Sequence, residues 1–149
     1  MLKKDICDMQ HFSTIEAYCR GINISPPQWP LFDLRTFEDN MRTVHPKMPP
    51  FKHEFYAIAL KIGGGGVVRV GNFNAAADES IVFFNSPYQI LSWDIPPDWR
   101  GVYVIFSEDF YRENIVPGQQ NVQRLTHQFP FLLMDNTVPL PVGDSERAT

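Results

Sequence analysis

Residues 81–93 read Ile-Val-Phe-Phe-Asn-Ser-Pro-Tyr-Gln-Ile-Leu-Ser-Trp, and after a polar loop residues 101–110 read Gly-Val-Tyr-Val-Ile-Phe-Ser-Glu-Asp-Phe. Short apolar runs parted by a proline turn predict strand, turn, strand. Ser107 followed by Glu108 and Asp109 predicts a helix start, with a capping hydroxyl and acids at the positive end of the helix dipole. A small sheet therefore ends by turning into a helix.

Upstream, residues 55–62 (Phe-Tyr-Ala-Ile-Ala-Leu-Lys-Ile) predict a strand, and the four glycines at 63–66 followed by Val67-Val68-Arg69-Val70 predict a hairpin return. The glycine run lacks the Lys-Ser/Thr of a phosphate loop and precedes a strand, which argues against nucleotide binding. Ser13-Thr-Ile-Glu16 has capping-box spacing before Ile15, Tyr18, Cys19 and Ile22, so residues 13–20 predict a short amphipathic helix closed by Gly21. Two proline-rich connections, at residues 25–30 and 45–50, flank a first strand starting near Leu31. With strands expected at 80–84, 88–93 and 102–106, about seven in all, the pattern predicts a sandwich or barrel. Further apolar or helical segments are expected at 121–128 and 129–134.

A chain of 149 residues suits one domain, and 13 Pro with 9 Gly favour many short elements over a helical bundle. The net charge of −4 lacks the clustered positive field that holds a phosphate backbone. Direct DNA contact by this segment is therefore not expected. Asp5, Asp8, Gln10 and His11 stand where a signal peptide needs an apolar core, and no run approaches a membrane span. A cytoplasmic protein is expected, with Cys7 and Cys19 as reduced thiols.

The order of residues from about 31 to 142 resembles the N-terminal, effector-sensing half of AraC-type transcription regulators. There a strand ending in Pro-Gly-x-x-His-x-aromatic precedes a strand ending in Phe and a helix; here residues 87–93 run from Pro87 to Trp93, and Tyr103 lies three residues before Phe106. The resemblance implies a mainly β, cupin-like double-stranded β-helix or barrel with a short N-terminal helix and C-terminal helices. It also implies an organisation: residues 1–30 as an arm with a short helix, 31–142 as the ligand-sensing domain, and 143–149 as the start of a linker helix to a helix-turn-helix DNA-binding domain absent from this chain. The function implied is sensing of a small-molecule effector within a homodimeric regulator that meets DNA only through that absent domain, with no membrane partner.

Taken with period two, residues 55–62 carry Phe55, Ala57, Ala59 and Lys61 on one face and Tyr56, Ile58, Leu60 and Ile62 on the other. If the first face lines the interior, the alanines leave room for a ligand, walled by Trp93 and Tyr103. Sugar-sensing members of the resembled family place aromatics at the positions of Trp93 and Tyr103. Leu91 occupies the motif histidine position, which removes a polar contact and favours a more apolar effector, or none. Expected ligand-lining residues are thus Trp93, Tyr103, His53, Phe55 and Leu91.

A metal-dependent cupin enzyme is the alternative. His45, His53 and Glu54 would supply part of a ligand set, yet adjacent His53 and Glu54 point to opposite faces of a strand and Leu91 cannot ligate. No catalytic residue, metal or other cofactor is expected. The serines lack a nucleophile elbow, and the acidic pairs 78–79 and 108–109 fit a turn and a helix start. A purely structural dimerisation domain, its interior filled by Phe55, Trp93 and Tyr103, is the third possibility.

Overall fold

The computed structural model describes residues 9–71, 73–75, 80–115 and 140–141. Cys7, the segments expected at 121–128 and 129–134, and the linker-helix start at 143–149 lie outside the described residues.

The chain opens with β1 (Gln10–Phe12) and α1 (Ile15–Ile22). Thr14, not Ser13, caps α1, its hydroxyl accepting from Ala17 N–H at 3.1 Å, and Glu16 pairs with Arg20 one turn on rather than closing a capping box. Gly21 does not end the helix. It lies inside it because a Cβ there would sit 2.3 Å from the Phe12 ring. The helix ends at Asn23, whose φ of 65° is left-handed and whose side-chain amide donates to the Thr43 carbonyl at 2.8 Å. Alanine lacks both the tolerance of that backbone region and the amide donor. Asn23→Ala is expected to cost about 1–2 kcal/mol and Asn23→Gly less; urea titration of the two variants checks the order.

Next come β2 (Phe32–Thr36), the single turn α2 (Phe37–Asn40) capped by Thr36, and β3 (Lys47–His53). The second proline-rich stretch therefore enters a strand instead of remaining a connection. Met48 pairs with Trp93 and Phe51 with Leu91, so β3 spends one extra residue at Pro49 and Pro50. That bulge suits residues with no N–H to donate and turns both Met48 and Phe51 inward, where both are buried. Then follow β4 (Tyr56–Gly63), β5 (Val67–Val70), β6 (Phe73–Ala75), β7 (Ile81–Asn85), β8 (Leu91–Asp94) and β9 (Arg100–Phe106). Ser107 caps α3 (Glu108–Phe110), which continues as one π-helical turn over Tyr111–Ile115, and β10 (Leu140–Pro141) closes the described chain. The helix start expected at Ser107 is present.

Two five-stranded sheets result, ordered β1-β3-β8-β5-β6 and β10-β7-β4-β9-β2. The protein is mainly β, as expected. No strand pairing joins the sheets among the described residues, so they form an open sandwich and not the closed barrel expected. Three of the four edge strands have only two or three residues, too few to carry a ladder round the corner.

The glycine run corrects a second expectation. β4 pairs with β7 and β9, whereas β5 pairs with β6 and β8, so residues 63–66 pass the chain from one sheet to the other and make no hairpin. Gly64 and Gly66 have φ of 126° and 89°, and a Cβ on either would meet backbone at Trp99 or at Asp94 and Ile95 within 2.7 Å. Glycine is needed there for close approach as well as for conformation. The strand expected from Tyr88 also starts later, because Tyr88 turns with φ 69°, its N–H donating to the His53 carbonyl at 2.8 Å.

One core lies between the sheets, and α1 belongs to it: Phe12, Ile15, Cys19, Ile22 and Ile24 from the expected arm pack with Phe51, Phe55, Val70, Phe83 and Ile105. A smaller cluster of Tyr56, Phe106 and Tyr111 covers part of the outer face of β4 and β9, with Tyr56 Oη donating to Glu108 Oε2 at 2.6 Å.

Candidate ligand cavity

The strand register explains why the core is hollow. On the inward face of the β4 sheet, Ala57 lies between Asn85 and Ile105, and Ala59 between Phe83 and Tyr103. Two methyl groups flanked by larger side chains leave a trough along β4. Across from it the other sheet presents His53, Leu91, Trp93 and Val68, and α1 and α2 add Tyr18, Ile22, Phe37 and Asn40. The cavity measures about 90 Å³. All five residues singled out from sequence, His53, Phe55, Leu91, Trp93 and Tyr103, line it.

Its walls are mostly rings. His53 stacks on Phe55 with centroids 4.0 Å apart and planes 5° from parallel, Tyr18 sets its edge against both, and Phe37 lies 4.9 Å from Tyr103. Both tryptophans have their polar tips engaged by backbone: Trp93 Nε1 donates to the His45 carbonyl at 2.9 Å and Trp99 Nε1 to the Gly65 carbonyl at 2.8 Å. Each therefore offers the cavity carbon surface only.

Polar contacts fall into two groups. At one side Asp33, Arg35, Asn40 and Tyr103 form a chain: Arg35 Nε donates to Asp33 Oδ2 at 2.5 Å, Arg35 Nη1 to Asn40 Oδ1 at 3.3 Å, and Asn40 Nδ2 to Tyr103 Oη. Arg35 also donates to the carbonyls of Ser25 and Pro26, which ties the first proline-rich connection to β2. Asn40 thereby has both ends of its amide engaged and leaves the Tyr103 hydroxyl with its own proton to donate. Burial raises the Tyr103 phenol above its ordinary range, and burial also raises Cys19, to about 11, so both stay protonated at neutral pH.

At the other side are His53 Nδ1 and Asn85 Oδ1, each buried and, among the described residues, without a hydrogen-bond partner. Burial pushes His53 down from 6.5 to about 4, only partly opposed by the backbone at Phe55 and at His53 itself, so the imidazole is neutral at pH 7. The described lining contains no Asp, Glu, Lys or Arg. Lys61, also on the inward face of β4, is wholly buried, its ammonium 4.6 Å from the centre of the Trp99 ring and outside the lining.

His45 is exposed and Glu54 half-buried, away from the lining, with Glu54 accepting from Tyr88 Oη at 2.7 Å. Among the described residues no three His, Cys, Asp or Glu side chains gather as a metal site. No described helix is long and apolar enough to cross a membrane. Sequence reasoning missed Tyr18, Asn40, Asn85 and Trp99. Trp99 alone carried a signal, since a tryptophan in a polar Pro-Pro-Asp loop has to bury its ring somewhere.

No protein-family model, curated protein or solved structure matches this chain.

Proposed function

We propose that this chain is the cupin-like, small-molecule-sensing and dimerising domain of an AraC-type cytoplasmic transcription regulator, acting on DNA through a separate helix-turn-helix domain. The observation that carries the reading is the ring-walled cavity between the sheets, with unpaired polar atoms at one side and a braced tyrosine at the other. The net charge of −4 suits a domain that leaves DNA to another part of the regulator. The mechanism is differential binding: because Tyr18 and Ile22 line the cavity, an effector contacts α1 and favours the arrangement in which α1 is docked. Dimer contacts then read that bias.

Thermal-shift screening with sugars, small acids and aromatic metabolites is the test. A ligand at a hundred times its Kd adds about 2.7 kcal/mol, which moves the midpoint of a domain this size by several degrees. Sedimentation with and without the hit reports on the dimer. Silence across the panel, in shift and in calorimetry, would remove the sensing role.

A further inference from the structure

We propose that the cavity selects an uncharged, single-ring compound bearing a hydrogen-bond donor, of the hydroxy-aromatic kind, in preference to a sugar or an organic anion. This inference rests on the sensing role proposed above and specifies the chemistry of its ligand.

Size sets the first limit. A space of about 90 Å³ is smaller than the roughly 150 Å³ that holds benzene in an engineered core, so even one ring enters only as wall side chains give way, and a second ring would have to displace still more. Charge sets the next. With no charged side chain in the described lining and a neutral His53, an anion entering the cavity would lose its hydration without an ionic partner. The count of polar atoms separates a phenol from a sugar. Both indole N–H groups and both ends of Asn40 are already engaged. Among the lining residues, His53 Nδ1 and Asn85 Oδ1 are without a partner within the described residues, and the Tyr103 hydroxyl has a proton to donate. A monosaccharide carries more hydroxyls than these atoms can satisfy, and each hydroxyl buried unpaired is penalised. A single ring hydroxyl has one proton to place, and one acceptor satisfies it.

Geometry supplies the acceptor. Asn85 and Tyr103 stand on the two strands flanking β4, one opposite Ala57 and the other opposite Ala59, roughly 11–12 Å apart at the backbone. A flat ring laid on Ala57 and Ala59 fills the trough between them. Its upper face meets the wall of Leu91 and Trp93, and its hydroxyl donates to Asn85 Oδ1 or to His53 Nδ1. Tyr88 N–H bonds to the His53 carbonyl, so the turn that follows Asn85 is held against β3 and brings these two residues to the same end of the sandwich.

The test is isothermal titration of the full chain with phenol, toluene, benzoate and glucose at neutral pH, repeated on Asn85→Leu, His53→Phe and His53→Gln. Phenol is expected to bind about tenfold or more tighter than toluene, the value of one good hydrogen bond, and benzoate and glucose more weakly than either. Whichever of Asn85→Leu and His53→Phe removes the acceptor in use is expected to abolish the preference of phenol over toluene while toluene still binds, which shows that the variant is folded. His53→Gln retains a polar tip and should keep part of the preference. Tighter binding of glucose or benzoate overturns the ligand class but leaves a sensing cavity. A phenol preference intact in all three variants overturns the assigned contacts. If none of the four compounds binds while another compound from the wider panel does, the class is wrong; if nothing binds at all, the sensing role falls with it.

Discussion

Phe51→Ala will lower the unfolding free energy by about 3–5 kcal/mol, the range for deleting a fully buried phenyl ring. Phe51 has no exposed surface and meets four rings: Phe12 at 5.5 Å, Tyr18 at 6.0 Å, Trp93 edge-on at 5.4 Å and His53 at 6.5 Å. It also holds the register of β3 after the proline bulge. Loss of the ring therefore removes contacts with β1, α1 and β8 together. Leu34→Ala is the control, because Leu34 is 62% exposed on β2 and its truncation should change stability by no more than about 0.5 kcal/mol. Urea unfolding of the two variants measures both. Equal losses would mean that the inter-sheet core does not dominate stability.

His53 makes stability depend on acidity. Its folded value near 4 lies below the ordinary 6.5, so between those limits the unfolded chain binds a proton that the folded chain refuses. This contribution is complete above pH 6.5, falls as pH drops towards 4 and levels off below that. Its size is about 3 kcal/mol. His53→Phe should flatten the difference between pH 7 and pH 4 by about that amount. Glu54, whose carboxylate is held low by donors from Tyr88 and Ser13, titrates in both proteins and cancels in the comparison. Denaturant titrations at the two pH values decide it; a variant with the wild-type pH profile would show an imidazole that solvent reaches.

Period two along residues 55–62 was the legible part of both fold and site. Ala57, Ala59 and Lys61 are buried while Ile62 is exposed, because a strand with small residues on one face can only be packed by larger residues from its neighbours. Trp93 and Tyr103 lie in the cavity wall for the same reason. What stayed hidden depends on contacts distant in sequence. Local propensity reads glycines followed by valines as a hairpin, and only the nearness of Trp99 and Ile95 reveals a passage between sheets. Likewise Pro49 and Pro50 read as a connection until Met48 and Phe51 find Trp93 and Leu91 across a bulge. Asn85 looks like an ordinary turn residue, and its importance arises from facing Ala57 with an unpaired oxygen.

A helix of eight residues is too short to persist by itself, so α1 owes its order to the aromatic floor beneath it. Each added contact under Tyr18 or Ile22 must deepen its protection, and each lost contact must shorten the lifetime of its amide protons. Deuterium uptake across residues 15–22 is thus a gauge built into the molecule, able to read occupancy from a peptide that lies on top of the cavity rather than within it.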